Sequence, residues 1–192
     1  MCLRIDERIH TEKLKGLYNE PKYFVAKSDI VCYKRLNPVF DEKYQYRTPY
    51  QDAKVLFDEG KAKIVSSKYG LYSPFSTTYD YSWSVTEGVH SYISFDDSYS
   101  CLCGQFVFIA VIPKGSKYYI GTWGDIVSDE LIVFENSKAF YRYIKGKRMV
   151  TAEWLVKNFK KEKIERESIF FESVKNVFRK KSDLTHWVYY TR

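Results

Sequence analysis

The run Phe106-Val107-Phe108-Ile109-Ala110-Val111-Ile112 constrains this chain more than any other stretch. Seven consecutive apolar residues leave no side for solvent, so both faces of the element they form must be covered. The run is too short to cross a membrane as a helix, and Pro113 stops it. It reads as a central β-strand buried on both sides. Pro113-Lys114-Gly115 then supplies a turn and Tyr118-Tyr119-Ile120 pairs back. Gly121 to Gly124 loop around Trp123, and Ile126 to Phe134 returns as one further strand. Sequential strands joined by short turns imply an antiparallel sheet.

The rest of the chain adds strands on one side of this block and helices on the other. Residues 23–36 read as extended, centred on Ile30-Val31-Cys32-Tyr33. Lys34 and Arg35 end that strand as solvated charges, and Asn37-Pro38 breaks it. Ala62 and Ile64 alternate with polar residues over 61–67, while residues 68–88 form an irregular loop pinned by its own aromatic rings. Residues 1–20 suggest a short strand followed by a helix capped at Thr11. After Asn136, Thr151 caps a helix with Trp154, Leu155 and Phe159 on its apolar side. A second helix fits Glu167 to Lys181, with Phe170, Val174, Val177 and Phe178 on one stripe, and Trp187, Tyr189 and Tyr190 close the chain as a final strand or docked tail. The expected class is α+β: a mostly antiparallel, strongly bent sheet with an N-terminal helix and a C-terminal basic helical segment. A Tyr-rich core domain occupies residues 1–136, and residues 137–192 form the basic segment.

Charge is unevenly spread. Residues 142–192 carry 14 Lys and Arg against 6 Asp and Glu, whereas residues 1–141 carry 17 against 18. The net +7 of the chain therefore sits entirely in its last quarter. Such a block attracts polyanions by long-range steering and counterion release. The plainer alternative is a solvated helix face. The candidate binding residues are Arg142, Lys145, Lys147, Arg148, Lys157, Lys160, Lys161, Lys163, Arg179 and Lys180.

Signals of chemistry are sparse. Cys101-x-Cys103 has no second pair with which to complete a zinc site, so no metal is expected. Cys2 would become an N-terminal nucleophile only if Met1 were removed, and a buried, inert thiol is the preferred reading. The start MCLRIDERIH is charged from its fourth residue, and no apolar run approaches a membrane span. A cytosolic protein with reduced thiols, no membrane partner and no cofactor is expected. His90 stands alone in a strand. As the base of an RNA-cleaving toxin it would need a second acid or base that the sequence does not place.

The segments MCLRID, IVCYKRL, TPYQ and EGVHSY, with the block VIPKGSKYYIGTWGDIVSDELIVF, resemble a group of proteins encoded by phages and prophages, notably of Bacteroidota. The resemblance covers residues 1–134 and leaves the basic segment outside. It implies a phage protein of the host cytosol. A basic appendage on such a domain implies, by analogy with anti-CRISPR proteins, a non-enzymatic inhibitor that engages a host defence nuclease, its ribonucleoprotein or its guide RNA. A second reading is an enzyme similar to ADP-ribosyltransferases, modifying a host protein or nucleic acid. Arg35 would hold the dinucleotide phosphates, His90 and Tyr92 would belong to the middle motif, and Glu130 would polarise a ribose hydroxyl. This chain departs from that pattern in having no clear Ser-Thr-Ser element and in placing Asp129 directly beside Glu130.

Overall fold

The computed structural model describes residues 3–10, 21–39, 45–49, 53–66, 71–72, 83–85, 87–100 and 104–159. Cys2, Cys101, Cys103, the helices expected over 11–20 and 167–181, most of the 68–88 loop, the closing aromatics, and Lys160, Lys161, Lys163, Arg179 and Lys180 lie outside those residues. The chain begins with β1 (Leu3–Arg4), α1 (Glu7–His10), β2 (Phe24–Val25), β3 (Asp29–Pro38), β4 (Tyr46–Arg47) and β5 (Lys54–Val55). It continues through β6 (Lys61–Val65), β7 (Leu71–Tyr72), β8 (Ser84–Val85), β9 (Val89–Tyr92), α2 (Phe95–Ser100) and β10 (Phe106–Ile112). The remaining elements are β11 (Lys117–Ile120), β12 (Asp125–Ser128), β13 (Glu130–Phe134), α3 (Ser137–Ile144), β14 (Met149–Thr151) and α4 (Ala152–Phe159).

Strands dominate. Eleven of them join one sheet, with the path β2-β11-β12-β9-β3-β10-β13-β6 and with β14, β4 and β5 attached beside it. β1, β8 and β7 form a separate three-stranded sheet. The α+β class is therefore corrected: the described chain is mostly antiparallel β-sheet, and none of its four helices exceeds eight residues. The helix expected from Thr151 is present as α4, but its eight residues are outweighed by the strands around it.

β3 is the axis of the fold. Along one edge it pairs antiparallel with the whole of β10, from Leu36–Phe106 to Ile30–Ile112. Its other edge is shared in turn by β14, which runs parallel over Asp29–Val31, by β9 at Tyr33–Tyr92, and by β4 at Asn37 and Pro38. Sharing one edge among three short partners divides the sheet. β6, β13, β10, β3 and β14 form one half, and β9, β12, β11 and β2 form the other. The largest core cluster includes residues of both halves, among them Ile30, Phe108, Ala110 and Ile112 from the first and Val89, Ile120 and Ile126 from the second. Trp154, Leu155 and Phe159 of α4 pack against this cluster. The alternate residues Val31, Tyr33, Val107, Ile109 and Val111 face a second cluster with Phe140 and Ile144 of α3. A third cluster sets Leu3, Ile5 and Val85 against Tyr119 and Val127. β10 is thus buried on both faces.

Two expected features are corrected here. The turn at Pro113 does not form a hairpin, because β11 pairs with β12 and β2 and not with β10. Residues 126–134 are two strands and not one. β12 pairs with β9 and β11, whereas β13 pairs with β10 and β6. Asp129 is the crossing point between the two halves. Its carboxylate accepts from the Lys117 amide at 3.0 Å, and its carbonyl accepts from the Ser66 amide at 2.9 Å.

Lys34 and Arg35 do not end β3 and are not solvated. Lys34 is 4% exposed and Arg35 is 3% exposed, and the strand continues to Pro38. Each long side chain reaches a backbone carbonyl of a neighbouring element. Lys34 Nζ donates to the His90 carbonyl at 2.6 Å, and Arg35 Nη1 donates to the Ser98 carbonyl at 2.7 Å. The two residues alternate across the sheet, so one ties β9 to β3 and the other ties α2 to β3. Burial lowers the Lys34 pKa to about 8.

The N-terminal segment is held by a histidine. His10 is buried, its Nδ1–H donates to the Lys22 carbonyl at 2.8 Å, and its Nε2 accepts from the Ile120 amide at 2.8 Å. An amide N–H can only donate, which fixes the neutral tautomer. Phe24 and Tyr119 lie against the ring at 4.5 and 5.2 Å. Burial lowers its pKa to about 4. The unfolded chain binds a proton here near pH 6.5, so the contribution of His10 is complete above that pH and is lost as pH falls towards 4. The shift corresponds to at most about 3 kcal/mol. Urea unfolding of the parent and His10→Gln should show a stability gap at pH 7 that closes by up to this amount near pH 4. A gap independent of pH would contradict a neutral His10 ring in the folded chain.

Candidate nucleic-acid interface

The described part of the basic segment is built around α3. Asn136 caps it, with Oδ1 accepting from the Ala139 amide at 2.9 Å. Ala139, Phe140 and Ile144 are buried on its inner side. Phe134 meets Phe140 edge-on at 5.3 Å and Tyr143 at 5.0 Å. The turn before β6 packs against the same helix. Gly60 adopts φ +78°, and a Cβ there would stand 2.8 Å from the Ala139 Cβ, so glycine permits the contact. Arg142 Nη2 donates to the Glu59 carbonyl at 3.0 Å, which holds the guanidinium at one nitrogen.

Asp29 fixes the end of α3. Its carboxylate accepts from the Lys114 amide at 2.8 Å and from the Tyr143 hydroxyl at 2.9 Å. Lys147 Nζ lies 3.7 Å from the same carboxylate and 3.3 Å from the Tyr143 ring centre. Burial, with the Asp29 carboxylate beside it, pushes the Tyr143 hydroxyl to higher pKa. Gly146, at φ +75°, then turns the chain into β14.

What remains outward is cationic. Lys138, Arg142, Lys145 and Arg148 are exposed, and Tyr141 is 49% exposed among them. Residues 137–148 hold five Lys and Arg and no Asp or Glu. Lys61 extends this side of the sheet. It is the cross-strand partner of Phe134, and paired residues point the same way. Cations at the end of a helix also complement its dipole, so part of this charge stabilises α3 itself.

Of the expected binding residues, the structure gathers Arg142, Lys145, Lys147 and Arg148 around α3. It separates Lys157, which lies on α4 against the cluster on the other side of the sheet. Sequence reasoning missed Lys138, Tyr141 and Lys61. For Lys138 and Tyr141 the signal was present, since 138, 141, 142 and 145 follow helical spacing.

The enzyme-like set does not assemble. Arg35 faces Val107 near the start of β10, whereas the β10–β13 register carries Glu130 beyond its far end at Pro113. Six residues of strand separate those levels, roughly 20 Å. Arg35 is engaged by Ser98, and Glu130 forms an ion pair with Lys63 at 2.8 Å. His90 and Tyr92 sit on β9 in the sheet interior, and burial followed by the Lys34 charge lowers the His90 pKa to about 3. Cys32 is buried, and desolvation pushes its thiol up to about 12, which removes it as a nucleophile.

No protein-family model, curated protein or solved structure matches this chain. No helix among the described residues is long and apolar enough to cross a membrane.

Tyr143→Phe removes one charge-assisted hydrogen bond to a mostly buried carboxylate. It should cost about 1.5–3 kcal/mol in urea unfolding. A change below about 0.5 kcal/mol would show that Asp29 does not fix the end of α3.

Proposed function

We propose that this chain is a phage-type, non-enzymatic inhibitor of a host defence complex, acting in the host cytosol on an RNA-guided nuclease. It engages the RNA of that complex through α3 and the turn that follows. The observation that carries the reading is the array of Lys138 and Arg142 on α3, a helix anchored by Phe140 and Ile144, with Lys145 and Arg148 on the turn that follows and without a carboxylate in the same segment. A fixed cationic surface gains affinity for a polyanion by releasing its counterions, and it loses little conformational freedom on binding. The phage setting is part of the proposal and comes from the sequence resemblance of residues 1–134 alone. The wide separation of Arg35 from Glu130 argues against the transferase alternative.

The test is titration of labelled guide RNA with the purified full chain at several salt concentrations. Lys145→Glu combined with Arg148→Glu should weaken binding at every sequence tested. The log–log salt slope should fall by about 0.7 for each phosphate contact removed. The doubly reversed chain should also fail to inhibit the nuclease in a cleavage assay. Unchanged RNA affinity and unchanged salt slope would overturn the proposal.

A further inference from the structure

We infer that the α3 surface selects single-stranded over duplex RNA, with Tyr141 as a stacking platform for one base. This rests on the RNA-binding reading of the same surface. Lys138, Tyr141 and Arg142 stand at positions i, i+3 and i+4 of α3, and Lys145 follows at i+7 as its C-cap residue, so they form a single stripe. The stripe is about 10 Å long. Its aromatic member lies in the middle, with cations on both sides along the axis. The opposite side of the helix is fixed in the core through Ala139, Phe140 and Ile144, which sets the direction of the stripe. Phe140 lies 6.3 Å from the Tyr141 ring at an interplanar angle of 53°, and about half of Tyr141 is open to solvent.

Phosphates alone would be served by the cations, and a duplex presents phosphates as well as a single strand does. An aromatic face adds affinity only where a base can leave its stack. In a paired A-form helix the bases are stacked on each other and the major groove is too narrow for side chains to read. A single strand instead lays its backbone along Lys138, Arg142 and Lys145 while one base covers Tyr141. Stacking is tolerant of sequence, so the preference concerns strandedness and not base identity.

The experiment uses the full chain, a labelled oligouridylate and a labelled duplex RNA. Tyr141→Ala should weaken oligouridylate binding roughly 5- to 150-fold, the range of one base–aromatic stack, and leave duplex binding unchanged. Tyr141→Trp should restore the preference, which a variant damaged in folding would not do. Lys138→Glu with Lys145→Glu should weaken both probes. Equal loss of both RNAs in Tyr141→Ala, or no loss of either, overturns the stacking assignment while the cationic surface stands. Retention of both RNAs in the doubly charge-reversed chain overturns the RNA reading itself. Capture of a protein partner by a surface that binds neither RNA would also overturn both.

Discussion

The backbone of β3 is the constraint on which the structure depends. A strand covered on both faces has no water to satisfy its amides, so each must find a protein partner. One edge is served by β10 alone. The other edge is served by β14, β9 and β4 in succession, with β9 contributing at Tyr33–Tyr92. That thin junction would be weak if backbone ladders were the whole account. Lys34 strengthens it by carrying its charged end through the core to the His90 carbonyl of β9, and Arg35 reaches the Ser98 carbonyl of α2 in the same way. Burying these cations costs desolvation, and the lowered pKa of Lys34 registers that cost. The hydrogen bonds link β9 and α2 to the strand that organises both half-sheets.

The same strand positions the cationic surface. Asp29 begins β3, and its carboxylate collects the Lys114 amide, the Tyr143 hydroxyl and the Lys147 ammonium. α3 is therefore attached to β3 at its end and to β13 through Phe134 and Phe140. The segment that carries the charge is part of the packed fold over residues 137–159. Lys147, which composition alone places among the binding residues, is partly committed to Asp29 and to the Tyr143 ring. The charges that remain for a partner are fewer than a count of Lys and Arg suggests, but they are held in fixed positions.

The sequence made some of this legible. An unbroken apolar run has one outcome, and β10 is buried on both faces as Phe106–Ile112 requires. Thr151 caps α4, accepting from the Trp154 amide at 3.2 Å, and Ala62 and Ile64 of β6 face inward as their alternation indicates. Other features were hidden for physical reasons. Lys34 and Arg35 look like the end of a strand because charged pairs normally seek water; only neighbours distant in sequence reveal carbonyls waiting for them. Residues 126–134 look like one strand because Asp129 changes partners without a proline or glycine. The grouping at α3 was half visible. Arg142 and Lys145 were evident from charge, while Tyr141 was masked by the surrounding aromatics, most of which are core.

The RNA-contacting surface proposed for this chain is α3 and the following turn. The most direct measurement is ultraviolet crosslinking of single-stranded RNA to the full chain, with adducts mapped by mass spectrometry. Adducts are expected within residues 137–148, at Tyr141 above all. Adducts confined to other exposed aromatics, such as Trp123 or Tyr23, with none in that segment would contradict the proposed surface.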